Sequence, residues 1–207
     1  MADRSIAVIV GSIREGSFSR QLAHALLDRA PAGLSGKLVQ IDDLPLYNPD
    51  LDDGTPPAAW TRFRNDVRPV DALLFVTPEY NRSVPGVLKN AIDVGSRPYG
   101  QSVFSGKPGA IVSCSPGALS AFGANHHLRQ SLVFLDVPVM QQPEAYIGNI
   151  DELLGKDGSI SDAGTDKFLA NFMKKFAEWI NGTADFNQRG VAVRFRRLAF
   201  RSTNAVP

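Results

Sequence analysis

The chain has 207 residues, of which 43% are hydrophobic and 21% are charged, and its formal net charge is +1. This composition predicts one globular domain, and the near-neutral charge argues against nucleic acid as the main partner. A single cysteine excludes a disulfide framework within the chain, and with only three histidines we predict no metal site. No apolar run reaches the roughly 18 residues of a membrane span and no secretory signal is visible, so we expect a cytoplasmic protein without a membrane partner.

Positive charge is concentrated at the C-terminal end. Residues 181–207 carry one acid and five arginines, a local charge of +4 that leaves −3 for the rest of the chain. These arginines are Arg189, Arg194, Arg196, Arg197 and Arg201. Because this segment lacks a clear packing period, we predict a main domain at residues 1–181 and a basic tail at 182–207. The tail is interpreted as a flexible arm or as a segment that docks a partner.

Strands and helices alternate along the chain. The predicted strands span residues 5–10, 37–41, 72–76, 108–112 and 137–140. The predicted helices span residues 18–29, 57–67, 85–94, 125–134 and 162–180. This alternation predicts an α/β fold, in which a doubly wound, five-stranded parallel sheet of flavodoxin-like order 2-1-3-4-5 lies between two layers of helices. Ligands of such sheets bind beyond the carboxyl ends of the strands, where the loops after strands 1, 3 and 4 converge.

The loop after the first strand, residues 11–19, reads GSIREGSFS and leads into a helix. Backbone N–H groups at a helix start, serine hydroxyls and the Arg14 guanidinium are donors that suit a phosphate. The loop has neither the lysine of a Walker A loop nor the GxGxxG pattern of a dinucleotide loop, which favours a terminal monophosphate. The alternative is an ordinary turn in which Ser17 or Ser19 caps the helix.

Two further loops are expected at the same edge of the sheet. Residues 77–86 read TPEYNRSVPG, and Tyr80 and Asn81 suit stacking and edge hydrogen bonds to a planar heterocycle. Residues 113–118 read SCSPGA, and these small side chains let a ring approach the backbone. Taken alone, each loop is also compatible with an ordinary proline-bounded or serine–glycine turn.

Together the loops resemble the NADPH-dependent FMN reductase family, and in particular its quinone and chromate reductase branch. The matching segments are GSIREGSFSR at 11–20, TPEYNRSVPGVLKNAID at 77–93 and HLRQSLVFLDVPVM at 127–140, and the resemblance covers about residues 5–180. It implies an enzyme that passes hydride from NADPH or NADH to FMN, and then two electrons to a small-molecule acceptor such as a quinone, free flavin, chromate or an azo dye. It also implies a homodimer or homotetramer, with contacts at residues 127–134 and 143–146.

The resemblance assigns FMN-binding positions and no catalytic side chain, because the flavin itself performs the transfer. The positions for the phosphate are Ser12, Arg14, Ser17, Phe18 and Ser19. The positions for the isoalloxazine ring are Pro78, Glu79, Tyr80, Asn81, Ser115 and Gly117, and Tyr80 and Asn81 are expected to orient the ring or its stacked partner. Two features depart from the family pattern. Ser120-Ala121 replaces a glycine pair and is expected to crowd the edge of the site, and the basic tail has no counterpart.

The alternative function is a flavodoxin-type electron carrier, or another flavin-binding module that does not oxidise NAD(P)H. Such carriers are strongly acidic, whereas the main domain carries only −3. Cys114 is interpreted as a small core residue rather than a redox centre. The acidic residues of loop 42–53 are interpreted as solvated, because they lack the spacing of a calcium loop.

Overall fold

A five-stranded parallel sheet forms the centre of the molecule. The computed structural model describes residues 3–155 and 158–202, and the side chains among them up to residue 184. The strands are β1 (Arg4–Val10), β2 (Leu34–Leu38), β3 (Ala72–Thr77), β4 (Gly109–Cys114) and β5 (Ala145–Ile147). Their order is β2-β1-β3-β4-β5 and every pairing is parallel, which confirms the predicted fold class and strand order.

Helices cover both faces of the sheet. They are α1 (Phe18–Leu27), α2 (Ala58–Val67), α3 (Gly86–Gly95), α4 (Phe122–Phe134), α5 (Ile150–Leu153) and α6 (Ala163–Ser202). Alternate residues of each strand point to opposite faces, so Ile6 and Val8 join the core under α1 and α6, whereas Ala7 and Ile9 join the core under α2, α3 and α4. Within the described residues, no helix combines the length and hydropathy that a membrane crossing requires.

The fifth strand was predicted in the wrong place. β5 is Ala145–Ile147, and it pairs with β4 from Val112 to Cys114. The apolar run 137–140 also lies along β4, but it forms only one bridge, from Val139 to Gly109. Pro138 in that run has no N–H to donate to a ladder, and a three-residue strand such as β5 is too short to show a period.

Helix α6 is longer than predicted. It runs from Ala163 to Ser202, whereas the sequence predicted an end near residue 180. The stripe Phe172, Met173 and Phe176 is buried against the sheet, as its helical spacing indicated. The side chains beyond residue 184, and all of residues 203–207, lie outside the described part. The division of the chain into a domain and a basic tail therefore stays a prediction.

Candidate active site

An open cavity of about 290 Å³ lies at the carboxyl ends of β1, β3 and β4. Its lining consists of Ser12, Arg14, Ser17, Phe18, Ser19, Pro78, Glu79, Tyr80, Cys114, Ser115, Pro116 and Ile150. The fold therefore brings together all the predicted site residues except Asn81 and Gly117, which follow lining residues in the second and third loops. Ile150, in α5, was not predicted, because an isolated apolar residue after β5 carries no motif.

The first loop presents a set of hydrogen-bond donors to this cavity. Ser17 is the N-cap of α1, and its Oγ accepts a hydrogen bond from the Arg20 amide at 3.2 Å. The amides of Phe18 and Ser19 have no acceptor among the described residues, as expected for the first turn of a helix. Ser17 and Ser19 are each only 2% exposed, so their hydroxyls are held in place by packing.

Arg14 is oriented by its own loop. Its guanidinium lies over the ring of Phe18, 5.1 Å from the ring centroid, and its Nη2 donates to the carbonyl of Gly16 at 2.5 Å. The side chain is otherwise exposed at the cavity, so further N–H groups are available to an anion. The positive charge, the hydroxyls and the helix N-terminus together match the chemistry of a phosphate monoester.

The second loop closes with a tight two-residue turn. Tyr80 and Ser83 exchange backbone hydrogen bonds of 3.2 and 2.9 Å, and the two residues between them, Asn81 and Arg82, have φ values of 49° and 63°. These angles belong to a type I′ turn, in which asparagine is well tolerated at the first central position. The turn leaves Tyr80 61% exposed beside the cavity.

The carboxylate of Glu79 is neutralised by the protein itself. One oxygen accepts the Ala124 amide, in the first turn of α4, at 2.9 Å, and the other accepts Arg82 Nη1 at 3.3 Å. Gly123 allows this approach, because a Cβ there would lie 2.7 Å from the Arg82 carbonyl oxygen and 2.9 Å from Glu79 Oε2. Glu79 therefore ties the second loop to α4 and adds little net negative charge to the cavity.

The third loop contains two residues in the left-handed region, Ser120 with φ 56° and Ala121 with φ 58°. Each such residue costs roughly 1 kcal/mol relative to glycine, which takes this conformation freely. Both residues are buried, and neither lines the cavity. The expectation that this pair crowds the edge of the site stays a prediction, and the physical consequence of replacing glycine here is backbone strain.

Cys114 lies under the cavity between the first and third loops. Its Sγ is 3.3 Å from the Ser19 hydroxyl, and burial raises the pKa of the thiol to about 11. Within the described residues, no group of three His, Cys, Asp or Glu side chains could hold a metal ion.

An aromatic cluster follows the third loop. The His126 Nε2 and the Tyr146 hydroxyl are 3.0 Å apart, and the Phe122 ring packs on His126 with centroids 4.2 Å apart. Burial and the Glu144 carboxylate raise the pKa of Tyr146 to about 12. The adjacent histidine, His127, instead meets the Ser83 hydroxyl at 3.0 Å. Both histidines therefore pack against protein groups.

Comparison with known proteins decides the family. Residues 4–152 match the family model described as NADPH-dependent FMN reductase. The chain belongs to this family. It is therefore an FMN-dependent NAD(P)H oxidoreductase, as the resemblance of the three loops implied.

Characterised relatives support this assignment. A quinone reductase of Pseudomonas putida is 60% identical over 176 residues, which cover 85% of this chain and 94% of that protein. A 2-hydroxy-1,4-benzoquinone reductase of a Burkholderia species is 49% identical over 84% of this chain and 95% of its own length. The flavoenzyme FerB of Paracoccus denitrificans, an NAD(P)H:(acceptor) oxidoreductase, superposes with a TM-score of 0.81 at 41% identity, over 87% of this chain and 98% of its own.

The residues that line the cavity fit FMN. Its first-loop end offers serine hydroxyls, the Phe18 ring and the positive charge of Arg14, and Glu15, the acid of that loop, does not line it. Its other end offers Tyr80, Pro78 and Pro116, which are flat or compact side chains suited to a planar ring. The carboxylate that does line the cavity, Glu79, is already paired. No unpaired negative charge therefore opposes a phosphate there.

Proposed function

We propose that this enzyme reduces quinones by two electrons at the expense of NAD(P)H, with FMN held in the cavity between the three loops. One observation carries the proposal. The hydrogen-bond donors of the first loop, which suit a phosphate, lie in the same cavity as Tyr80 and the third loop. The names of the relatives at 60% and 49% identity support a quinone as the acceptor. Free flavin, chromate and azo dyes remain further predicted acceptors.

The first loop would bind the phosphate of FMN. Arg14 supplies a charged fork, and the hydroxyls of Ser12, Ser17 and Ser19, with the amide of Phe18, supply neutral donors. Because Ser17 and Ser19 are buried and Arg14 rests on Phe18, few side-chain rotamers are lost when the anion binds. This end of the cavity sets affinity and leaves the chemistry to the other end.

The second and third loops would hold the ring. Pro78, Glu79, Tyr80, Asn81, Ser115 and Gly117 are the proposed ring contacts. Bound FMN supplies hydride acceptance and two-electron transfer. The amides of residues 117–119, which are exposed residues next to the cavity lining, have no acceptor among the described residues, so we propose that they stabilise negative charge on the ring. We assign no side chain as an obligatory proton donor.

The enzyme is proposed to act as a homodimer or homotetramer on a small-molecule acceptor, without nucleic acid or a membrane as a partner. The large exposed apolar side chains of Val133 and Phe134, 75% and 74% exposed, support self-association through residues 127–134. Residues 143–146 are the second proposed contact. A cytoplasmic location stays a prediction from the sequence.

An anaerobic stopped-flow experiment tests the function. The protein is loaded with FMN and mixed with NADPH or NADH while the visible absorbance of the flavin is followed. Rapid bleaching that a benzoquinone reverses is the expected result. A spectrum that stays yellow with both nicotinamides would favour the flavodoxin-type carrier instead.

A further inference from the structure

A buried polar network lies behind the third loop. Ser113, at the end of β4, and Asn125, in α4, are both fully buried. Arg129 Nε donates to Asn125 Oδ1 at 3.1 Å, and Arg129 Nη1 donates to the Met140 carbonyl at 3.2 Å. Asn125 Nδ2 donates to Ser113 Oγ at 3.3 Å, and that hydroxyl donates to the Ser120 carbonyl at 2.9 Å. Because arginine is only a donor, Asn125 accepts through Oδ1 and donates through Nδ2. The Ser113 hydroxyl also lies 3.5 Å from the Ala145 carbonyl, which is a longer contact than its bond to Ser120.

The network ends on the strained part of the loop. The Ser120 carbonyl belongs to the peptide that joins Ser120 to Ala121, the two consecutive non-glycine residues with positive φ. A bond from Ser113 to that oxygen fixes the plane of this peptide. Gly148 also packs closely on this loop, since an added Cβ there would lie 2.7 Å from Ser120 Oγ and 3.3 Å from the Gly117 carbonyl oxygen. The third loop is therefore held by the network at the Ser120 carbonyl and by close packing on Gly148, the residue after β5.

Hydrogen bonds within residues 115–120 connect Ser120 to the residues that line the cavity. The Gly117 carbonyl accepts hydrogen bonds from both the Ser120 amide, at 3.0 Å, and the Ser115 hydroxyl, at 2.8 Å. Ser115 and Pro116 line the cavity, and the Ser115 amide is anchored to the Ile147 carbonyl at 3.0 Å. The peptides 119–120 and 120–121 share the Cα of Ser120. A change in the backbone conformation of Ser120 would therefore disturb its hydrogen bond to Gly117, next to the residues that line the cavity.

We propose that Asn125 is a positioning residue of the flavin site. With Ser113 and Arg129 it holds the peptide 120–121 in the left-handed conformation, and through Ser120 it would keep the third loop in the shape that binds the ring of FMN. The proposal rests on the proposed binding of FMN in this cavity. It explains how the chain keeps its third loop in shape with serine and alanine at positions that favour glycine.

A double-mutant cycle tests the proposal. The variants are Asn125→Ala, Ala121→Gly and the double variant, and the readouts are the Kd for FMN, from quenching of flavin fluorescence, and the thermal midpoint of the apoprotein. Loss of one buried hydrogen-bonding group should weaken FMN binding about tenfold in the wild-type background. In the Ala121→Gly background the loss should shrink to about twofold, because glycine takes the left-handed conformation without support. The destabilisation of the apoprotein should shrink in the same way.

The matched control is Asn90→Ala. Asn90 is also a buried helical asparagine, and it holds another loop through the Leu44 and Pro45 carbonyls and the Tyr47 amide. Its replacement should lower stability, and Ala121→Gly should not rescue it. If the effects of Asn125→Ala and Ala121→Gly are additive, the positioning role is wrong and Asn125 only fills the core.

Two further outcomes are informative. If Asn125→Ala does not fold, Ser113→Ala, which removes a single oxygen atom, replaces it in the same cycle, with the same expected rescue. If the wild-type apoprotein takes up no FMN, the proposed function itself fails. Binding by the wild type with an additive cycle overturns only the role of Asn125.

Discussion

Two regions at the carboxyl edge of the sheet are built in different ways. On the cavity side, the loops after β1, β3 and β4 present exposed donors and residues with positive φ. On the other side, a buried ion pair holds the loop after β2, residues 39–57, against the body of the protein. There the guanidinium of Arg64 makes two bonds of 2.7 Å to the carboxylate of Asp52, with the two side chains 8% and 6% exposed. Arg64 also donates to the Val94 carbonyl at 2.9 Å and lies over the Trp60 ring.

The two regions therefore contribute to different properties, the loop after β2 to stability and the cavity loops to binding. A buried ion pair contributes little net stability while it is intact, but removal of one partner is strongly destabilising, and a paired carboxylate offers nothing to a ligand. Unpaired hydrogen-bond donors and strained turns lower the stability of the fold, but they provide the groups and the backbone geometry that bind a ligand. The loop after β2 should therefore be sensitive in unfolding experiments, and the cavity loops should be sensitive in binding experiments.

The largest expected effect is that of Arg64→Met on stability. The variant leaves the buried carboxylate of Asp52 without its cationic partner and with only the hydrogen bond of Tyr47, so the free energy of unfolding should fall by roughly 3 kcal/mol. The Kd for FMN should stay unchanged, because Arg64 does not line the cavity. Urea denaturation of the apoprotein and an FMN titration measure the two quantities. Arg68→Met, one turn further along and exposed, is the control and should change neither quantity. Equal losses in the two variants would contradict the role of the ion pair.

The opposite pattern is expected for Arg14→Ala. Loss of a charge-assisted contact to the phosphate should weaken FMN binding about thirtyfold. Riboflavin, which lacks the phosphate, should bind the variant as it binds the wild type, and the stability of the apoprotein should be unchanged. Arg20→Ala removes the same charge from a nearby position outside this cavity and measures the purely long-range effect. An equal loss of affinity for riboflavin would place Arg14 elsewhere than at the phosphate.

The sequence predicted the cavity better than it predicted the support behind it. The first loop is a local feature, since its donors, its arginine and its helix start lie within nine residues of one another. The alternation of strands and helices was also enough for the strand order. The network of Ser113, Asn125 and Arg129 joins residues from β4 and α4, and no residue type among them marks it in advance. Polar side chains of this kind are usually solvated.

The ion pair of the loop after β2 shows the same limit. Asp52 was grouped with the solvated acids of an acidic loop, yet it is buried against Arg64, twelve residues away in α2. The error has a physical cause, because the sequence shows the charge of a carboxylate and not the partner that the fold supplies. The misplaced fifth strand has a similar origin, since tertiary pairing to β4 selected a three-residue segment with no pattern of its own.

The pH dependence of stability tests the ion pair without replacing either of its residues. The Arg64 hydrogen bonds and charge hold the pKa of Asp52 below its ordinary value of 3.8, although burial opposes this shift. A carboxylate with a lowered folded pKa contributes stability that is present above the unfolded pKa and is lost as the pH falls through the folded one. The wild-type apoprotein should therefore lose stability below about pH 4.

The Asp52→Asn variant should be less stable than the wild type at neutral pH and should lose less on acidification. Some dependence should persist, because hydrogen bonds from Ser5 and Arg4 lower the pKa of Asp71 even though burial, the largest influence, acts to raise it. Asp50→Asn, which removes an exposed carboxylate from the same loop, should leave the curve unchanged. Parallel curves for the wild type and Asp52→Asn would remove Asp52 from the acid response.

The smallest effect is expected at Cys114, on the cavity side but beneath its surface. Burial raises the pKa of this thiol to about 11 and so disfavours the reactive thiolate, and iodoacetamide should therefore label the native apoprotein far more slowly than the unfolded chain. Cys114→Ala should keep quinone reduction and change the Kd for FMN by less than about twofold, because a thiol is a weak donor to Ser19. Ser19→Ala, which removes the other partner of the same contact, should weaken FMN binding more. The Ser19 hydroxyl is proposed to donate a hydrogen bond to the phosphate of FMN. Rapid labelling of the native protein, or loss of turnover in Cys114→Ala, would instead give the thiol a part in the reaction.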